Sequence, residues 1–567
     1  MKIKTLVSVN VLAAVLVGCG GGDIELNPSN TVVDSNNVTN NTTNNNDNTG
    51  GGSGGDDNPC ASYEQDGQTF QGSFDGDNCS YGSSFVSESN PLTVDLNIPS
   101  LDGGLHIFED SLWVGEDVDA TEAANGTRIP QEGEGPSLSI EAGSLIAFSS
   151  SADYVRVARG STIFAEGTAD APIIFSAVQD LRDGAATESD RGLWGGVQIN
   201  GNGITNKCTD EQRQATANNV HSCNAQAEGR PTNYGGNNNE ESSGTLRYVV
   251  IKHAGFEVVD GSELNGLTLN GVGSGTTIEY TQTYTTQDDG FEMFGGAVDL
   301  KNVVAVNVGD DSIDYSEGWV GNIQFALVTQ TSGSNRCIEA DNTGGGRADD
   351  IAPFTKGRVS NMTCVTSNVA ENEGENPTPK GAAEGVLFRE GAHFELYNSI
   401  VTSNASGMAS NECFELDDSE GPQTIFAATS GLSVVKSTVI ACTEATKAGV
   451  DPANGAFDIN SWIVSGENTD NVILDEATTG ALPAMVIEGL DSNPRAYITA
   501  ANMTDGNANA LNVPVYDVTM LQNTFEANAA PALGSAGSSS FFEAVDFIGA
   551  VSADNDWVAG WAVGLDN

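Results

Sequence analysis

Positive charge is what this sequence has least of. Its 567 residues include 22 Lys and Arg against 78 Asp and Glu, a formal charge of −56. A nucleic-acid partner is excluded, because phosphate binding needs a basic stripe and none is present. Electrostatic attraction to an anionic membrane surface is excluded for the same reason. Histidine is scarce: His106, His221, His253 and His393 stand in no ligand spacing, and no Cys-x-x-Cys occurs, which weakens any zinc reading. There is no Walker A loop, no dinucleotide fingerprint after a strand and no Gly-x-Ser-x-Gly elbow. Beyond the first residues no apolar run reaches membrane-spanning length, and long helical periodicity is almost missing. The acid that is present in excess favours solubility and screening by salt, and it suits cation binding.

The start of the chain speaks to compartment. Lys2 and Lys4 precede an apolar run from Leu6 to Val17, too short to span a bilayer, so residues 1–18 are expected to be a signal peptide. The ending Leu16-Val17-Gly18-Cys19 resembles a bacterial lipobox. That resemblance implies cleavage before Cys19, lipidation of its sulfur and, with Gly20 rather than Asp following, the outer membrane. The membrane partner is then a lipid anchor and not a spanning segment. Residues 19–59 are Asn, Thr, Gly and Ser with almost nothing to bury, and are expected to be a disordered tether spanning about 35 Å.

Eight further cysteines fall in neighbouring couples: Cys60/Cys79, Cys208/Cys223, Cys337/Cys364 and Cys413/Cys442. In an exported chain four local disulfides are the economical pairing, although sequence alone permits many others.

From about Pro91 short β-branched segments alternate with Gly, Asn, Asp and Ser turns. "PSLSIEAGSLIAF" (136–148) is echoed by "DYVRVARGSTIFA" (153–165). Repeats of this length with strand alternation mean a solenoid, in which no coil buries its apolar face alone. "GSTIFAEGTADAPIIFSA" and "RGLWGGVQINGNG" resemble right-handed parallel β-helices of the pectin-lyase-like superfamily. With "ELNGLTLNGVGSG", "DDGFEMFGG", "GDDSIDYSEGW" and the terminal "FIGAV" and "DWVAGW", the chain is similar to a group of bacterial surface β-helix proteins. The resemblance implies an exported, surface-facing protein, often associated with TonB-dependent receptors, and transfers no reaction.

The expected fold is therefore all-β, a right-handed parallel β-helix over residues 96–525 with N- and C-terminal caps. The N-terminal cap is residues 60–95, with the Cys60–Cys79 loop. The C-terminal cap is 526–567, whose Phe541, Phe542, Phe547, Trp557 and Trp561 are expected to seal the last coil. "GVGSGTT" (271–277) reads as a turn rather than a phosphate cradle. Trp194 and Trp319 read as buried turn anchors before sugar platforms.

One recurrence supplies a ruler. "QDDGFEMFGG" at 287–296 returns 22 residues later as "GDDSIDYSEG" at 309–318. A 22-residue step is one coil, so Asp288 stacks on Asp310, Asp289 on Asp311 and Glu292 on Asp314. Strand alternation points these acids outward. The row is expected to continue through Glu339, Arg389 and Glu415, with Asp341 and Asp417 beside it. Its 50-residue interval from Glu339 to Arg389 holds two coils, or one coil with inserted loops. Carboxylates about 4.8 Å apart repel by roughly 3–4 kcal/mol at an effective dielectric of 20, so the row needs compensation. Three readings stay open. The row is an exposed acidic face screened by salt. It holds Ca2+ on Asp288, Asp289, Glu292, Asp310, Asp311 and Asp314. Or it is catalytic through Asp310, Asp311, Asp314, Glu339 and Arg389. In that last case lyases of this fold imply Ca2+ beside a basic Arg389, and hydrolases imply paired aspartates. The sequence favours a surface-exposed, outer-membrane β-helix that binds or scaffolds, with a glycan, a cation or a TonB-dependent receptor as partner. The alternative is a Ca2+-dependent polysaccharide lyase or a glycoside hydrolase.

Overall fold

The computed structural model describes residues 58–259, 262–331, 334–367, 384–403, 412–418, 421–448, 450–451, 455–474, 503, 509–521 and 541–565. The expected leader, Cys19, nearly all of the tether and residues 526–540 of the expected C-terminal cap lie outside them.

Two sheets carry the fold. One has ten parallel strands, beginning with Leu112–Val114 and ending with Glu444–Ala448, which stack in chain order. The other has eighteen strands and takes up the rest of each coil. Phe291–Phe294 stands on Leu267–Asn270, and Ile313–Ser316 stands on Phe291–Phe294. The 22-residue ruler is thus one coil. Within these strands Phe291, Met293, Ile313 and Tyr315 are fully buried between the sheets, as the alternation requires. Their apolar partners across the interior include Ile278, Leu300, Ile323 and Val359, one per coil of the large sheet.

The long strands of the large sheet hide a corner. Tyr248, Tyr280, Asn302, Phe325, Asn361 and Asn398 all adopt left-handed backbone, with φ between 48° and 62°. Register pairs put them one above another, since Val249, Thr281, Val303, Ala326 and Met362 follow them in a continuous ladder. Asparagine enters this conformation readily, but tyrosine and phenylalanine do so at a cost of about 1–3 kcal/mol. Stacking recovers part of it: the Tyr248 and Tyr280 rings lie 4.5 Å apart.

A file of rings runs through the N-terminal coils. Tyr81 stacks on Phe108, Phe108 on Phe148 and Phe148 on Trp194. Tyr63 and Phe85 close over Tyr81, and the Cys60–Cys79 disulfide fastens this region. The other three expected disulfides are also formed: Cys208–Cys223, Cys337–Cys364 and Cys413–Cys442. Each of the last two joins the ten-stranded sheet to the large sheet within a single coil.

The C-terminal aromatics are not where the sequence put them. Trp557 and Trp561 do not seal the last coil. They pack edge-on against Tyr248 and Tyr280, far back along the stack. The reason is the outward row Val250, Val304, Leu327, Ile400 and Val439 of the large sheet, an apolar strip that needs cover. Residues 541–565 supply it along the flank.

Trp194 and Trp319 are both fully buried. Trp319 donates from Nε1 to the Val298 carbonyl at 3.1 Å and packs on Tyr315. Trp319→Ala is expected to destabilise the solenoid by about 3–5 kcal/mol in urea unfolding. A change below about 1 kcal/mol would show that the anchor carries no weight.

Candidate functional site

The outward face of the ten-stranded sheet carries one row through its whole length. In order it reads Trp113, Arg156, Gln198, Thr268, Glu292, Asp314, Glu339, Leu387, Glu415 and Lys447. Glu292, Asp314 and Glu339 stack as expected. Arg389 does not join them. Ile338 pairs directly with Val386, so the long interval is one coil with insertions and Leu387 faces Glu339. Arg389 instead sits one row over, beside Asp341, with its amide on the Ala340 carbonyl. Asp417 follows it in that second row.

Nor is the row an open face bathed in salt. Asp288, Asp289, Glu292, Asp311, Glu339, Asp341 and Glu415 are all more than nine-tenths buried, and Asp310 and Asp314 are partly buried. The arm around Cys208–Cys223 is held at the C-terminal ends of the strands. Tyr234 and Lys207 both pair with Glu317, Asn206 donates to the Asn342 carbonyl at 2.7 Å, and Asn233 donates to Asp117 at 2.7 Å. Glu228 of this arm adds its negative charge to the field at Glu292.

The doubled aspartates divide into two jobs. Asp289 Oδ1 accepts from the Asp311 amide at 2.9 Å, and Asp311 Oδ1 accepts from the Arg336 amide at 2.7 Å. Asn265 Oδ1 begins the series by accepting from the Asp289 amide at 3.1 Å. The second acid of each pair is therefore a staple that ties its own turn to the next coil. Asn265 was missed in the sequence because Leu264, and not a first acid, precedes it. Its one signal was its place one coil before Asp289.

Carboxylate oxygens of these acids also converge. One carboxylate oxygen each from Asp288, Asp289 and Asp310 lie within 4.8 Å of one another, as do those of Asp289, Glu292 and Asp314. Glu292 accepts from the Asn265 amide. Asp314 Oδ1 is shielded and has no hydrogen-bond partner. No lysine or arginine pairs with Asp289, Glu292, Asp311 or Asp314 among the described residues.

The electrostatics follow. Burial, then the neighbouring carboxylates, push Asp289, Glu292, Asp311 and Asp314 well above the usual carboxylate range. Glu339 is pushed up to about 7 by burial and Asp341, against the pull of Arg389 and Arg336. Further along, the charges are met. Arg389 makes a two-pronged bond to Asp341 at 2.8 and 3.1 Å and pairs with Glu339. Burial works against its charge, but Asp341 and Glu339 outweigh it and hold the guanidinium protonated. That works against a role for Arg389 as base. Arg336 pairs with Glu384 and Glu415, and Lys447 reaches Glu415 at 3.0 Å.

The Gly271–Thr277 turn is a turn, and it already has an anion. The Gly273 amide donates to Glu241 Oε1 at 2.6 Å, and burial pushes Glu241 up to about 7. The row also holds groups that the sequence did not single out. Gln198 is buried with neither amide atom bonded, and Trp113 Nε1 is likewise without a partner.

Two sheets of parallel strands stacked coil on coil define a parallel β-helix protein. Residues 125–461 match the pectate-lyase-like β-helix domain model, and the chain belongs to that family. Neither the curated proteins nor the solved structures searched gave a match.

Without divalent metal, the sign of the pH dependence is fixed by these raised carboxyls. They ionise near 4 in the unfolded chain, so unfolding releases protons and stability falls as pH rises. Their contribution is complete below about 4 and is lost as pH rises, through about 7 for Glu339. Burial lowers His106, His221 and His393 to about 4, so their opposite effect is confined below about 6.5. In EDTA the Tm is expected to drop as pH rises above about 6.5, where the histidines no longer oppose it, and Asp314→Asn to raise it at the alkaline end. A flat or rising profile would contradict this picture of the row.

Proposed function

We propose that this protein is a lipid-anchored binding or scaffold module on the bacterial outer-membrane surface, and that its acidic row takes Ca2+. The observation that carries the cation is the pair of carboxylate triads that share Asp289, with the unpartnered Asp314 Oδ1 beside them. The donor set is all oxygen and mostly carboxylate, which suits a hard divalent ion that takes about six to eight oxygens. Asp288, Asp289 and Asp310 hold one edge, and Glu292 and Asp314 the other. Asp311 serves as support, because its Oδ1 is committed to the Arg336 amide. A bound cation replaces the protons that burial otherwise forces on these groups.

The anchor rests on the leader and on Cys19. The partner is a glycan or a TonB-dependent receptor, the classes that fit a surface solenoid with no basic patch. A lyase reading needs a base beside the cation, and Arg389 is tied to Asp341 and Glu339 instead.

Calcium at a hundred times its Kd stabilises a native site by about 2.7 kcal/mol. The Tm at neutral pH is expected to rise on adding Ca2+ to EDTA-stripped protein. Asp289→Asn with Asp314→Asn abolishes that rise while the protein still melts cooperatively. Equal melting temperatures in Ca2+ and EDTA would remove the cation from the proposal. Cys19→Ser is expected to shift the protein from the membrane fraction to the soluble fraction, and retention on membranes would remove the anchor.

A further inference from the structure

The flank covered by residues 541–565 recognises its occupant in an unusual way. Gln282 donates from Nε2 to the Val563 carbonyl at 2.8 Å and accepts from the Val563 amide at 2.8 Å. Gln324 does the same to Glu543, at 2.9 and 2.8 Å. Asn361 donates to the carbonyls of Phe547 and Gly549 at 3.0 and 3.2 Å. Thr363 Oγ1 accepts from the Ala550 amide at 2.8 Å, and the Gly549 amide reaches the Asn398 carbonyl at 2.7 Å.

These are side chains of successive coils reading the backbone of a crossing chain. A primary amide matches a peptide unit donor for acceptor, so this recognition is indifferent to most of the occupant's sequence. Specificity comes from three rings: Trp557 and Trp561 against Tyr248 and Tyr280, and Phe547 on Phe325. Lys301 adds a charge pair with Glu543 at 2.7 Å. The occupant contributes no strand to either sheet among the described residues.

We propose that this flank is a peptide-binding groove, and that residues 541–565 of a second copy of the chain occupy it in exchange for the resident segment. The chemistry is the same in either case, because the occupant is identical. What opposes exchange is that the resident copy belongs to the same chain, which keeps it at high local concentration, and the mutual repulsion of two strongly acidic chains. Exchange is therefore favoured by salt and by protein concentration.

The test uses the full chain with a protease site inserted between residues 525 and 540, cleaved after folding. A fluorescent peptide of residues 541–565 is then added in moderate salt. It is expected to bind saturably, one per body, while the resident fragment leaves. Gln282→Leu with Gln324→Leu weakens that binding about tenfold. A peptide carrying Trp561→Ala weakens it on an unaltered body. Failure of the peptide to enter overturns the proposal. So does unfolding of the solenoid on cleavage, which would make the segment core rather than ligand. Binding that ignores both the glutamine and the tryptophan changes overturns it too.

Discussion

Hydrogen bonds between successive coils run along the solenoid, so each residue has a partner fixed one coil away. Phe291 must meet Leu267 below and Ile313 above. A slip of one residue would turn the whole buried set outward. The apolar interior therefore enforces register, and register carries every outward side chain into a row with its equivalents. The chain does not choose whether to stack its acids. Once Glu292 and Asp314 stand at the same place in consecutive coils, packing of Phe291 on Ile313 brings them together.

Several kinds of row come out of this. The file from Tyr81 to Trp194 adds ring on ring and strengthens the stack. The left-handed column from Tyr248 to Asn398 turns each long strand through a corner. Near that corner Gln282, Gln324 and Asn361 meet the C-terminal segment. The row from Trp113 to Lys447 is the only one of these whose middle members repel one another. The arm around Cys208–Cys223 adds to this by bringing the charge of Glu228 to Glu292. Structure thus converts a repetition in sequence into an electrostatic problem with a defined location.

The fold and all four disulfides were legible because both depend on spacing, and spacing survives in a linear text. The stacking of Glu292 on Asp314 and Glu339 was legible for the same reason. What failed did so where spacing was broken or where a third body intervened. Arg389 was misplaced by two residues because insertions between Glu339 and Leu387 absorb an unknown length. Burial of the row was invisible, because strand alternation says which side of a strand an acid takes and not what lies over it. The corner residues read as ordinary strand, since Tyr248 and Phe325 carry no sign of positive φ. The C-terminal aromatics looked like an end cap because nothing in their own sequence says which part of the stack is bare. That information sits in Val250, Val304, Leu327 and Ile400, far away in sequence.

The chain answers the same electrostatic problem in two ways, and the contrast is informative. From Glu339 onward every carboxylate of the row has a basic partner supplied by the protein: Arg389 for Glu339 and Asp341, Arg336 and Lys447 for Glu415. In the coils just before, no lysine or arginine among the described residues forms an ion pair with Asp289, Glu292 or Asp314. Part of that acid is explained by backbone stapling, since Asp289 and Asp311 each hold the next coil by one oxygen. Stapling needs only one oxygen, and asparagine would serve it without charge, as Asn265 does in the same series. The negative charge at Asp289 is then surplus to its structural task, and so is that of Asp314, whose Oδ1 bonds to nothing. Carboxyls buried and converging on one place keep their protons, as the raised values of Asp289 and Asp314 imply, unless a counter-charge from outside the chain replaces them.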